Sequence, residues 1–253
     1  MKISIITPSL NQADYLETSI KSVLSQLGDF DLELVIVDGG SDDGTIEILK
    51  KYDSRIRWIS EQDNGQADAI NKGVQMCTGD IIGWLNSDDL YLKNTLQIIS
   101  SNFEKNAECN WLFGRCSIID ERGAEIRSFI TKYKNCYLSR YSYKKLLIEN
   151  FISQPAVFFR KSLFEEVGGV SIDYNYAMDY DLWLKFGKLS KPQFVKAYLS
   201  AFRKQATSKS ENSYKAQFKE EYKIACKYTN SKFIKFLHWL NIWKIIVAYT
   251  FIK

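Results

Sequence analysis

Apolar residues switch between two spacings along the first ninety positions, and the switches mark out elements. Lys2 to Thr7 reads as a strand, and Asp14 to Gln26 as a helix with Tyr15, Ile20, Val23, Leu24 and Leu27 near helical spacing. Leu32 to Val37 is a nearly continuous apolar strand that stops at Asp38-Gly39-Gly40. A short helix over Asp43 to Tyr52, a strand over Ile56 to Ile59, a helix over Gln66 to Met76 and a strand over Asp80 to Leu85 follow. This alternation predicts an α/β fold: a mostly parallel sheet with right-handed crossovers and helices on both faces. The strand ends at Thr7-Pro8, Asp38, Ser60-Glu61 and Asn86 then gather along one edge, where open α/β sheets bind ligands.

After Asn94 the pattern loosens. It predicts a helix over Asn94 to Phe103, a strand over Trp111 to Ile119 and a hairpin turn at Asp120-Glu121-Arg122-Gly123. Ser142 to Asn150 reads as helical. Gln154 to Phe159 reads as extended, since Pro155 disfavours a helix there. Lys161 to Val167 is a short helix ended by Gly168-Gly169. Asp179 to Leu189 is an amphipathic helix with Leu182, Trp183 and Phe186 apolar. From Ser231 the chain turns aromatic, and Lys235, His238, Asn241 and Lys244 recur every three residues. That spacing suits an interfacial helix better than a spanning one, so residues 231–253 are expected to make peripheral membrane contact. The competing reading is a terminal helix docked on the domain or on a second subunit.

Composition narrows the chemistry. The 253 residues suffice for one large domain, or a domain with an appendage, around a sizeable core. Met1 runs straight into strand-like residues with no leader pattern. Five cysteines without paired spacing point to reduced thiols in a cytoplasmic setting, not to a disulfide frame or a zinc site. With His238 as the one histidine, a Ser-His-Asp or Cys-His mechanism is disfavoured. The net charge of +4 conceals −10 over residues 1–125 and +14 over residues 126–253. The acidic half is a poor nucleic-acid surface, and the basic half suits anionic lipid or a phosphate-bearing substrate.

Candidate chemistry concentrates at Trp84-Leu85-Asn86-Ser87-Asp88-Asp89, where carboxylates follow a buried strand. Hard oxygen ligands at such an edge suit Mg²⁺ or Mn²⁺, and those ions suit a diphosphate. A solvated turn capping the next helix would use similar residues. Asp38, at another strand end, is placed to accept hydrogen bonds from a base or a ribose, and the adjoining glycines let backbone approach a ligand. Neither a GxGxxG fingerprint nor a GxxxxGK[ST] phosphate loop is present.

Five segments together resemble the family 2 glycosyltransferases of GT-A fold. They are Thr7-Pro8-Ser9-Leu10-Asn11-Gln12, the Val37 to Thr45 run, the Asp63 to Gly73 run, Trp84 to Asp89, and Met178-Asp179-Tyr180-Asp181-Leu182-Trp183-Leu184-Lys185. The resemblance spans about residues 1–205. It implies a GT-A domain over 1–205, with a nucleotide-binding half (1–90) and an acceptor half (91–205). Residues 206–253 would form a helical extension. It further implies that Thr7, Pro8 and Asn11 line the nucleotide pocket and that Asp38 reads the base, usually uracil. Asp63, Gly65, Asp68 and Lys72 would border the nucleotide-sugar. Asn86-Ser87-Asp88 stands at the family's D-x-D position, so Asp88 would hold Mn²⁺ or Mg²⁺, with Asn86 and Asp89 beside the donor. Asp179 matches the general base, although an acid at a helix start also serves as an N-cap. Pro155, Trp183 and the Gln154 segment would shape the acceptor side.

Three departures stand out: Asn86 replaces an acid, Met178 replaces a frequent Glu, and Gln205, in Arg203 to Ser208, takes the place of a metal-proximal His. The activity implied is inverting transfer from a nucleotide-sugar, UDP-linked by preference, to a hydroxyl of a saccharide or lipid-diphosphate-linked acceptor. The setting would be cell-surface polysaccharide synthesis at the cytoplasmic membrane face. A non-catalytic nucleotide-sugar-binding subunit is the alternative. A nucleotidyltransferase is disfavoured for want of a basic glycine-rich loop near the first strand.

Overall fold

The computed structural model describes residues 1–205 and 213–251, the last four by backbone alone. Its strands are β1 (Lys2–Ser9), β2 (Asp31–Asp38), β3 (Arg57–Ser60), β4 (Ile81–Trp84), β5 (Leu90–Tyr91), β6 (Trp111–Ile119), β7 (Val157–Arg160) and β8 (Gln193–Arg203). They form one sheet in the order β3-β2-β1-β4-β7-β6-β8-β5. Its helices are α1 (Ala13–Leu24), α2 (Thr45–Lys51), α3 (Gln66–Met76), α4 (Thr95–Lys105), α5 (Ser128–Leu138), α6 (Tyr143–Ile148), α7 (Lys161–Glu166), α8 (Met178–Leu189), α9 (Tyr214–Tyr228) and α10 (Lys232–Phe251).

The first four strands pair in parallel, β2 with β3 and β1 with both β2 and β4. In the second half β7 runs antiparallel to β4 and β6, whereas β6 and β8 are parallel with a register shift around Arg115. Side chains alternate across a strand, so the sheet feeds two cores. Leu34, Ile36, Ile81, Leu112 and Phe158 pack with Leu16, Ile20 and Val23 of α1 and Leu96 and Ile99 of α4. Val35, Ile82, Trp111, Phe113 and Phe159 point the other way and meet α3 and α8, joined by Ile224 and Ala225 of α9.

The differences from the sequence pattern have physical reasons. Helix α1 stops at Leu24, and Leu27 is exposed instead of joining the apolar face. Gln154–Ala156 is a 3-10 turn before β7, which Pro155 tolerates at the start of a helical turn, where no backbone donor is needed. Trp183 does not border the acceptor: it is fully buried and stacked on Trp111 at 6.0 Å and 11°. Strands β5 and β8 and helix α5 emerge only with the fold.

The terminal helix docks by its polar side. His238 is 1% exposed, its Nδ1 lies 2.8 Å from the Leu147 carbonyl oxygen, and Lys244 Nζ donates to the Tyr133 hydroxyl at 3.1 Å. Phe233, Phe236, Trp239, Leu240, Trp243 and Val247 face outward. Among the described residues, no helix is long and apolar enough to cross a membrane.

Candidate active site

The loops after β1 and β2 are laced together at the sheet edge. Asn11 takes a left-handed backbone (φ 52), its N–H donates to Ser41 Oγ at 2.8 Å, and its Oδ1 accepts from Asp42 N at 3.0 Å. The Gln12 and Ala13 amides, which open α1, donate to Thr45 Oγ1 at 3.2 Å and Asp43 Oδ2 at 2.9 Å. The Ser41-Asp42-Asp43-Gly44-Thr45 run thus caps a helix elsewhere in the chain. Thr7 and Pro8 are covered within β1, and the open part of this turn is Leu10 and Asn11.

Asp38 ends β2 completely buried. Its carboxylate accepts from Gly40 N at 3.0 Å, Ser41 N at 2.9 Å, Ser60 Oγ at 2.7 Å and Ser41 Oγ. A glycine at φ 87 lets residue 40 turn its amide inward. Four internal donors make Asp38 an organiser of the β2 and β3 loop ends. Asp63 sits close to Gly39 and accepts the Gly65 amide at 2.8 Å. Asp68 accepts the Asn64 amide at 3.0 Å and pairs with Lys72 at 3.2 Å, and the Asn64 amide foremost holds its carboxyl below the usual range. Lys72 also reaches Glu61 at 2.8 Å. The structure therefore brings Asn11, Asp38, Asp63 and Gly65, at the connected loops, together with Asp68 and Lys72 in the first turns of α3.

The turn after β4 carries the densest polar network. Asn86 Oδ1 accepts from Trp84 Nε1 at 2.9 Å and Gln66 Nε2 at 3.0 Å. Its Nδ2 donates to Asp89 Oδ2 at 3.3 Å and Gln154 Oε1 at 3.2 Å, so the amide is used at both ends. Asp89 is wholly buried and accepts the Arg203 amide at 2.8 Å. Asp88 Oδ2 accepts from Gln205 Nε2 at 2.7 Å, and Gln205 Nε2 also lies 3.4 Å from Gln12 Oε1. Burial pushes both carboxyls up, and for Asp89 the charge of Asp88 adds to the effect. The Arg203 guanidinium donates to the carbonyl oxygens of Asp88 (2.9 Å), Asp120 (2.9 Å) and Glu121 (2.8 Å) and lies over the Tyr15 ring at 5.2 Å. The Ala206–Ser208 end of that segment lies outside the described residues.

The donors here fit a divalent cation bound lightly by protein. Asp88 offers a carboxylate and Gln205 an amide oxygen once its amide turns, both hard ligands of the kind Mg²⁺ and Mn²⁺ prefer. Two neighbouring carboxyls raised by burial are also a setting where a cation favours ionisation. Among the described residues no group of three or more His, Cys, Asp or Glu is arranged to hold a metal. Most of the coordination would then fall to water and ligand oxygens.

Asp179 belongs to a separate cluster. It lies in the first turn of α8, where Ala177 holds the N-cap position without a side-chain cap. Asp179 is thus not the N-cap residue, and it keeps the other part of that alternative, a negative charge in the first turn with the Tyr180 amide acting on its carboxyl. The amides before α8 go to another acid: Asn175, Tyr176 and Ala177 donate to the Glu220 carboxylate of α9 at 3.2, 2.8 and 2.7 Å. Burial pushes the Asp179 carboxyl up to about 6, with Lys134 pulling the other way.

Sequence reasoning overlooked two residues near the acids. Arg203 ends β8, whose apolar positions Phe194, Val195, Leu199 and Phe202 carry a strand signal. Glu221 of α9 carried no signal that set it apart from a solvated Glu-Glu pair.

Comparison with known proteins agrees with this architecture. The family model described as Glycosyl transferase family 2 matches residues 4–168. An uncharacterized glycosyltransferase of Rickettsia typhi is 30% identical over 200 residues, covering 76% of this chain and 60% of the relative. For a longer one of Rickettsia felis the shares are 82% and 35%, at 28% identity. The chain thus spans about a third to three fifths of these relatives' length. A PGL/p-HBAD biosynthesis glycosyltransferase of Mycobacterium bovis is 29% identical, covering 78% of this chain and 73% of the relative. Among solved structures, the mannosyltransferase PcManGT of Pyrobaculum calidifontis, in complex with GDP-Man and Mn²⁺, superposes with a TM-score of 0.67 at 18% identity. The match covers 95% of this chain and 69% of that one. S. aureus TarS 1–349 in complex with UDP-GlcNAc gives 0.66 at 18%, covering 92% and 68%. At such identities the likeness is one of fold, and it is to GT-A glycosyltransferases.

Proposed function

Since the chain belongs to glycosyl transferase family 2, we propose that it transfers a sugar from a nucleotide-sugar to an acceptor hydroxyl, inverting the anomeric carbon. The observation that carries this reading is the turn after β4. It sets the buried Asp89 and the half-buried Asp88 at the sheet edge, bordered by the laced loops of β1 and β2. The nucleotide, a uridine diphosphate in this proposal, lies along Asn11, Asp38 and Asp63, with Asp68 and Lys72 beyond. Asn86 and Asp89 hold the floor beneath the diphosphate.

In the reaction the bond from the anomeric carbon to the diphosphate breaks, and its electron pair leaves with the diphosphate. The acceptor oxygen bonds the opposite face of that carbon, and its proton passes to the Asp179 carboxylate. A divalent cation, when bound at Asp88 and Gln205, supplies Lewis-acid stabilisation of the leaving charge. A base held near 6 is largely ionised at neutral pH yet retains proton affinity. The acceptor in this proposal is a saccharide or a lipid-diphosphate-linked saccharide of a cell-surface polymer, reached at the cytoplasmic face of the membrane. The outward aromatic face of α10, with the exposed Lys232 at its start, supports contact with an anionic bilayer.

Thermal unfolding with UDP-GlcNAc or GDP-mannose, with and without Mn²⁺, tests donor binding, because a ligand of the native state raises the midpoint. A midpoint unmoved by either donor at millimolar concentration would speak against this reading. Sedimentation with anionic vesicles tests the membrane contact, and a protein that stays in the supernatant with and without residues 231–253 contradicts it.

A further inference from the structure

A cleft between α5, α6 and α10 encloses about 300 Å³, enough for a small ligand. Its far wall is α10, which lies beyond residue 168, where the family model ends. That wall is fixed in place: His238 Nδ1 lies 2.8 Å from the carbonyl oxygen of Leu147, which is followed by the cleft residues Ile148 and Glu149. Helix α6 also receives the Tyr180 hydroxyl on the Leu146 carbonyl oxygen at 2.8 Å. It therefore joins the cleft to α8, the helix that carries Asp179.

The lining mixes ring faces with a few polar groups. The Tyr133 and Tyr137 rings of α5 have centroids 5.0 Å apart, and their hydroxyls lie 3.3 Å from one another. The Tyr133 hydroxyl donates to Glu149 Oε2 at 3.3 Å. Leu237 and Leu240 face these groups from α10. Both cations of the lining are engaged by the protein: Lys145 Nζ donates to the Arg140 carbonyl oxygen at 3.0 Å, and Lys244 Nζ sits 4.8 Å above the Tyr133 ring. Among the described residues, no hydrogen bond reaches Glu149 Oε1 or the Asn241 side chain. A hydrocarbon chain in the cleft would desolvate that carboxylate and that amide without return. A phosphate would meet the carboxylate with both lysines already turned to other groups. A sugar ring suits the lining, because it has an apolar face for tyrosine and leucine and hydroxyls for a free carboxylate oxygen and a free amide.

We propose that this cleft is a second saccharide site, which holds a pyranose unit of the acceptor away from the bond being made. This rests on reading the acceptor as a saccharide. Leu240 belongs both to the cleft and to the outward face of α10, so the mouth opens beside the surface proposed to meet the bilayer, where the sugars of a lipid-linked acceptor stand. Holding one unit there raises the local concentration of the chain end at the transfer centre.

The test is saturation-transfer difference NMR on the full chain, without donor or metal, at millimolar concentrations of the methyl glycosides of glucose, galactose, mannose, rhamnose and N-acetylglucosamine. At least one glycoside should receive saturation from the protein. Its dissociation constant should rise about tenfold in Glu149→Ala, which removes a charged hydrogen-bond acceptor, and also in Asn241→Leu, which fills the cleft and removes the amide. Should Glu149→Ala fail to fold, Asn241→Leu decides alone. Silence from all the glycosides, or a signal that the folded variants leave unchanged, overturns the proposal. So does broadening of the ³¹P line of inorganic phosphate that Lys244→Gln abolishes while the glycosides stay silent, which marks an anion site. The underlying reading fails differently: the glycosides bind and the variants lose them, yet the chain transfers sugar to no saccharide. The cleft then stands as a saccharide site and the acceptor reading falls.

Discussion

Asp88–Asp89 and Asp179–Glu221 each join a buried acid to a half-buried one, with carboxyls that desolvation drives toward the neutral form, yet they are built in opposite ways. The first pair is consecutive in sequence at the end of a strand, and Arg203 reaches across from β8 to pin the turn that holds it. The second joins two helices whose acids are far apart in the chain, and Glu220 does the pinning. One pair is held by a cation and, in the proposed function, receives another. The other is pushed toward holding a proton, which suits the base role proposed for Asp179. Burial alone therefore does not decide what an acid does, because the charge placed beside it sets the outcome.

The sharpest way to break the comparison is to remove the base. Asp179→Asn should lower sugar transfer about a thousandfold, within the usual range for general-base catalysis, while the donor's dissociation constant stays within about twofold. An Asn variant weakened equally in both measurements would make Asp179 a binding residue like its counterparts at the other pair.

Next in size is the loss of the cation from the first pair. Arg203→Met keeps the apolar stem but strands three carbonyl oxygens and removes the guanidinium that favours ionised Asp88 and Asp89. Urea unfolding should show about 3 kcal/mol lost. A loss below about 1 kcal/mol would mean that solvent replaces these bonds, and that the first pair stands without its cation.

The second pair yields a pH signature of its own. Glu221 rises from an ordinary 4.5 to about 7 on folding, so the folded chain binds its proton more tightly than the unfolded chain. Stability therefore falls as pH climbs from about 4.5 to about 7, and the whole cost, about 3 kcal/mol, is present above that window. Glu221→Gln should remove it, raising stability at pH 8 by about 2 kcal/mol and leaving pH 4.5 nearly unchanged. Equal gains at both pH values would show a packing effect and not a charge effect.

These two pairs also mark where the sequence is readable. Asn86-Ser87-Asp88-Asp89 follows an apolar strand, and a strand end in an alternating α/β order already fixes the sheet edge it joins. The helices α1, α3 and α8 follow from local periodicity, as do the four parallel strands. Strand β8 does so only in part: Phe194, Val195, Leu199 and Phe202 give a signal that Lys196 and Ser200 interrupt, and its partners β6 and β5 lie far away in sequence. Without β8, Arg203 and Gln205 have no address, although Gln205 could be named from its motif. Glu221 is harder still. Its burial depends on α9 crossing α8, and Lys215, Lys219, Lys223 and Lys227 make α9 look like a solvated helix. Helix α10 misleads in the reverse direction, because its spaced polar residues seat the helix on the protein and leave the aromatic side open.

The smallest effect tests the departure from the family pattern at position 86. Asn86 spends its oxygen on Trp84 and Gln66 and its amide on Asp89 and Gln154. An aspartate keeps the two acceptances but loses both donations, and it sets a third negative charge against a buried carboxylate. Asn86→Asp should therefore destabilise by about 1 kcal/mol at pH 8, less at pH 5, where a protonated acid donates one bond again. Mn²⁺ with UDP should recover more of the midpoint in the variant than in the wild type, since the added charge faces the proposed cation. A variant as stable as the wild type at pH 8, with no larger response to Mn²⁺, would show that Asn86 does not keep this pair from crowding. The first pair would then owe its balance to Arg203 and to the amide that Gln205 donates to Asp88.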